Sequence, residues 1–95
     1  MNEFIISSDL TYTTVSAQLL RLRHFMINTS KKRAIIINLA IIKRSDSAGV
    51  AWMIEALRLS RDLNKDITFI AVPDQMLNMM RFCNILSLFT GKLNG

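Results

Sequence analysis

Few residues in this chain are of a type and setting to do chemistry, and Ser47 is the foremost. It follows Asp46 and precedes Ala48-Gly49, between the apolar run Ala34–Ile42 and a long helical pattern. A serine in the first turn of a helix meets unpaired backbone N–H groups and the positive end of the helix dipole. Such a hydroxyl can cap the helix, touch a partner or accept a phosphate, and all three uses stay open. Nucleophilic catalysis is not expected. Ser47 has no glycine-flanked elbow and no evident base, and mere adjacency to Asp46 does not make a proton relay. His24 is the one histidine, with no Cys or His at metal-ligand spacing, and reads as a surface residue. Gly49 is a lone glycine rather than a phosphate-cradling loop. No pair among the seven acidic residues is spaced for acid/base work. The expectation is a non-enzymatic protein with no catalytic residue, no metal site and no cofactor.

The elements that must position Ser47 alternate along the chain. Phe4–Ile6 reads as a strand ending at Ser7-Ser8-Asp9. Thr13 or Thr14 can cap a first helix, whose Val15, Leu19, Leu22 and Met26 form one stripe. Asn28–Lys32 is a polar break. Ala34–Leu39 is apolar at successive positions, as in a strand covered on both faces. A second helix spans about Ser47 to Asn64, with Asp46 and Gly49 ordering its entry turn. Ile67–Ala71 reads as a strand. Pro73-Asp74 opens a third helix with Met76, Met79, Met80 and Cys83 on one face. Leu86–Thr90 reads as a last short strand. Strands alternating with helices predict an α/β fold, one domain over residues 1–95, with about four mainly parallel strands.

The second helix carries more apolar surface than one sheet face needs. Val50, Met53, Ile54 and Leu57 form one stripe; Trp52, Ala56, Leu59 and Leu63 form another. Neighbouring helices can cover the surplus. Left exposed, it makes Trp52 and Leu59 interface anchors, since tryptophan is enriched at binding hot spots. Leu20 and Ile27 lie off the first helix's stripe, either as scattered surface apolars or as an extension of the same patch.

Composition bounds the remaining choices. The formal net charge is +5 and the pI about 10.0. The basic residues are scattered over several elements without interleaved aromatics, which argues for a solvated basic surface before nucleic-acid binding. Attraction to an acidic protein or to anionic lipid headgroups is the intermediate case. A single cysteine, Cys83, suits a reducing compartment and is expected to be buried. The longest apolar run is far short of a bilayer span. The start lacks a basic n-region followed by an apolar h-region, so a cytoplasmic location is expected.

An aliphatic strand, then Asp46-Ser47-Ala48-Gly49-Val50, a long helix, a strand, Pro73-Asp74 and a helix resembles a STAS domain from Phe4 to about Phe89. Three stretches are most similar to the small STAS subunits of Mla phospholipid-transport ABC systems: Arg44–Ala51, Leu57–Arg61 and Asp66–Asp74. The resemblance implies a subunit that docks on an ABC transporter ATPase, in complex with a membrane permease, and supports its activity. It places the family's functional hydroxyl on Ser47. Anti-sigma factor antagonists of the same family imply instead a kinase partner that phosphorylates Ser47. The chain departs from the family pattern at Asn38, where aspartate is common, and at Val50, where leucine is usual. The family's extra N-terminal edge strand has no counterpart before Phe4. The contact residues expected are Ser47, Ala48, Trp52 and Leu59, with Glu55 and Arg58 on the rim.

Overall fold

The computed structural model describes residues 2–29 and 34–94; the Ser30–Lys32 part of the polar break lies outside these. Four strands and three α-helices alternate: β1 (Asn2–Ile5), α1 (Val15–Ile27), β2 (Ala34–Asn38), α2 (Ser47–Asp62), β3 (Asp66–Ile70), α3 (Asp74–Phe82) and β4 (Leu93–Asn94), with a 3-10 helix at Leu86–Phe89 before β4. All strand pairings are parallel, in the order β1-β2-β3-β4. Crossovers between parallel neighbours are right-handed as a rule. Three successive steps in one direction therefore stack α1, α2 and α3 on a single face.

Burial follows that geometry. Phe4, Ile37 and Phe69 share one row of the register, Ile35 and Ile67 another, and all five are buried under the helices. Phe4 meets Phe25 of α1, and Phe69 meets Phe89, edge to face at 5.3 and 5.7 Å between ring centroids. The alternate rows face the other way. Ile5 is exposed, Ile36 and Ile70 are half-buried, and Asn38 donates to Glu3 Oε2 at 2.7 Å. The expectation that β2 is covered on both faces is corrected: one face packs on helices, while no described element covers the other.

Two more corrections concern the last third. Leu86–Phe89 is a 3-10 helix, not a strand, and the last strand is the two-residue β4. Cys83 is exposed. Met76 and Met80 are buried and Met79 is half-buried, but α3 stops at Phe82 and Asn84 turns left-handed at φ 59°. Cys83 falls on the turn rather than on the next rung of the stripe.

The apolar surplus of α2 is resolved by its neighbours. Its buried residues are Gly49, Val50, Trp52, Met53, Ala56 and Ser60. On a helical wheel this core arc takes in members of both predicted stripes and spans about 160°. The other stripe members, Ile54, Leu57, Leu59 and Leu63, are half-buried and pack on the same core. As the middle helix of the layer, α2 touches both α1 and α3. The exposed Leu20 lines a recess against β1, with Glu3, Ile5 and His24, and does not extend α2's surface.

Candidate functional site

The turn that enters α2 is held from several directions. Asp46 is the N-cap, and its Oδ1 accepts from the Ala48 N–H at 2.8 Å. That bond satisfies one of the donors a helix start leaves unpaired. Its Oδ2 accepts from the Tyr12 N–H at 3.3 Å, across 34 residues of sequence. Leu10 and Ser45 form a parallel β-bridge. Asp9 Oδ1 accepts from the N–H groups of Lys43 and Arg44 at 2.8 and 3.1 Å. These bonds favour the charged carboxylate and, with the two cations, hold the Asp9 pKa below its ordinary value. The loops after β1 and β2 are thus stapled together at the carboxyl ends of their strands.

Gly49 is required by close approach rather than by dihedral freedom. A Cβ there would clash with the Ser45 hydroxyl and lie 3.1 Å from the Leu10 carbonyl oxygen. The hydroxyl can rotate aside; the backbone carbonyl has less freedom. Without a side chain at Gly49, the Leu10 loop can rest on the first turn of α2.

Amid these constraints Ser47 is exposed, and its hydroxyl makes no hydrogen bond to any described residue. Capping belongs to Asp46, so the local-cap use of Ser47 is not the one adopted. The hydroxyl lies at a helix N-terminus whose Ala48 and Gly49 N–H groups are already bonded to Asp46.

The remaining predicted site residues share one side of α2. Ala48, Trp52, Glu55 and Leu59 recur at the i, i+4, i+7, i+11 spacing of a helix–helix seam. The first three line a groove of about 160 Å³ between the N-terminal halves of α1 and α2, opposite Val15, Ser16 and Leu19. Leu59 lies about 18 Å along the axis from Ser47, half-buried and outside the groove lining. Trp52 is 2% exposed. Its reading as a protruding anchor is corrected: the indole is core and forms part of the groove wall. Its Nε1 is buried with no hydrogen-bond partner among the described residues, an arrangement that costs stability. Glu55 and Arg58 pair at 3.0 Å on the exposed side of the helix.

Two contributors escaped the sequence reading. Tyr12 is 79% exposed, and its backbone is tied to the carboxylate that caps Ser47's helix. Asp9 orders the Lys43-Arg44 segment. A lone aromatic among threonines and an acid after a strand are the only traces either leaves in sequence. The polar cluster behind them is satisfied: buried Gln18 donates to Ser7 and Ser8, while Arg21 donates to Gln18 and sits 5.0 Å from the Phe4 ring centroid. No group of three or more metal-ligating side chains occurs among the described residues, and no helix there is long and apolar enough to cross a membrane.

No protein-family model matches the chain, and no curated protein is detectably similar to it.

Proposed function

We propose that this chain is a non-enzymatic STAS-type adaptor, similar to MlaB, which binds and supports the ATPase of an Mla-type phospholipid-transport ABC complex. In that role it sits in the cytoplasm, peripheral to the inner membrane through its partner, and serves outer-membrane lipid asymmetry. The observation that carries the reading is the spare hydroxyl of Ser47. Asp46, Gly49, Asp9 and the Leu10 loop already order the turn, so a serine there is free to meet another molecule. Ala48 and the mouth of the α1–α2 groove would receive an apolar side chain of the ATPase. Exposed Tyr12 adds an aromatic contact of the kind enriched at interfaces. Glu55 and Arg58 form the rim, and Trp52 and Leu59 support the seam from below.

The same exposed hydroxyl favours a second reading, an anti-sigma factor antagonist phosphorylated on Ser47. A helix N-terminus tolerates the added dianion, which would repel a closely packed or acidic partner.

Affinity purification of the tagged chain from its native cells, in mild detergent with mass spectrometry, separates these readings. The adaptor reading expects an ABC ATPase together with its permease, in stoichiometric amounts. A soluble kinase-like anti-sigma factor, with phosphate on Ser47, would replace it by partner switching. Salt-sensitive binding of the isolated chain to anionic vesicles or nucleic acid, with no stoichiometric protein, would make it a basic lipid- or nucleic-acid-binding module instead.

A further inference from the structure

A second recess opens on the β4 side of the sheet, whereas the Ser47 turn follows β2. It is bounded by α3, the 3-10 helix and β4 and encloses about 400 Å³. Val72, just past the end of β3, and Leu93 of β4 place it near the carboxyl end of β3. Its volume falls within the range of small-molecule sites. Leu77, Leu86 and Phe89 complete its apolar wall, Thr90, Gly91 and Asn94 give it a polar edge, and Arg81 is the one charged side chain among them.

The guanidinium of Arg81 is only lightly engaged. One nitrogen donates to Asn78 Oδ1 at 3.0 Å. The ion pairs among the described residues are Arg58–Glu55 and Lys92–Asp66, so no described carboxylate neutralises Arg81. Gly91 borders the same recess at φ 76°, where a side chain would meet nothing within 4 Å. A recess with an apolar wall, a polar edge and one fork of N–H donors that no described carboxylate pairs suits an occupant with an apolar body and a single planar anion.

We propose that this recess binds a straight-chain alkyl carboxylate, the chemistry of a medium-chain fatty acid. The chain lies against Val72, Leu77, Leu86, Phe89 and Leu93. The carboxylate accepts two parallel hydrogen bonds from Arg81, the geometry in which guanidinium and carboxylate match best. A primary ammonium in the same place would face a like charge, and an alcohol would forgo the charge-assisted pair. The assignment stands on this recess alone and is independent of the role given to Ser47.

Calorimetric titration of the full chain with octanoate, decanoate and dodecanoate, each below its micellar concentration, tests the proposal. Decanol and decylamine serve as controls, and amide chemical shifts locate the site. One saturable site is expected, tightening about fourfold per added methylene until the recess is full. Shifts should centre on Val72, Leu77, Arg81 and Gly91, and decylamine should bind at least tenfold more weakly than decanoate. Arg81→Gln, an exposed change that the fold should tolerate, should reduce decanoate affinity to that of decanol. Absence of saturable binding, shifts centred elsewhere, equal affinity for decanoate and decylamine, or an Arg81→Gln variant that binds decanoate like the parent would each overturn it.

Discussion

The entry turn of α2 and the α3–β4 corner are both surface features at the carboxyl ends of strands, yet they are built in opposite ways. At the α2 turn, Asp46, Asp9, Leu10 and Gly49 hold one short segment from several sides, and a single hydroxyl is left over. At the α3–β4 corner, a nine-residue helix, a single 3-10 segment and a two-residue strand meet around an open recess. The first holds its backbone by several bonds and leaves one hydroxyl exposed, which suits the docking role proposed for it. The second presents a hollow, as a small-ligand site must. A bonded polar turn and an open recess thus offer different kinds of surface within a chain of 95 residues.

The contrast can be broken most severely at the seam beneath the α2 turn. Trp52→Ala should cost about 3–5 kcal/mol, the usual range for a buried aromatic truncated to alanine. Chemical denaturation of the purified variant reads this directly. A small loss of stability with a large loss of partner binding would return Trp52 to the role of exposed anchor.

Gly49→Ala comes next. Overpacking against the Leu10 carbonyl should cost about 1–3 kcal/mol, partly offset by the roughly 1 kcal/mol that alanine gains over glycine inside a helix. A net loss of melting temperature is expected, whereas a net gain would mean that the Leu10 loop yields and the turn is less constrained than described.

The staple at Asp9 gives a pH signature. Its folded-state pKa lies below the ordinary aspartate value of 3.8. The stabilisation is therefore fully present above that value and is lost as pH falls through the lower, folded value. Asp9→Asn should destabilise near neutral pH and flatten the part of acid unfolding that lies below about pH 3.8. Urea midpoints measured between pH 2 and 6 on both proteins test this; identical acid limbs would remove Asp9 from the staple. The smallest effect belongs to the rim. Arg58→Ala should change stability by no more than about 0.5 kcal/mol, because an exposed i,i+3 pair contributes little. A larger change would give Arg58 a structural role that its exposure does not suggest.

The two regions also differ in how well they could be read from sequence. Around Ser47 the apolar run, the Asp-Ser-Ala-Gly turn and the helical periodicity agreed, and α2 begins at Ser47 with Asp46 as its cap. Alternating strand and helix patterns also carried the parallel sheet. Burial of Trp52 was ambiguous because a helical wheel locates apolar stripes without saying which neighbours cover them. Asp9 and Tyr12 act across more than thirty residues, Asp9 by accepting from backbone N–H groups and Tyr12 by donating its own backbone N–H to Asp46, and a backbone group leaves no mark in sequence. At the other corner, Leu86–Phe89 is a short apolar run that fits strand and helix alike. The exposure of Cys83 depended on α3 ending one residue earlier, a boundary finer than periodicity resolves.

In the adaptor role proposed above, Ser47 meets a protein partner while other groups hold its turn. The direct measurement is the affinity of the ATPase–permease complex for the parent chain and for Ser47→Glu, alongside the melting temperature of each chain. A carboxylate in the first turn of α2 suits the helix dipole, so the melting temperature should stay within a few degrees, while binding weakens at least tenfold. Equal affinity of both proteins for the complex would contradict the claim and leave Ser47 an ordinary surface residue.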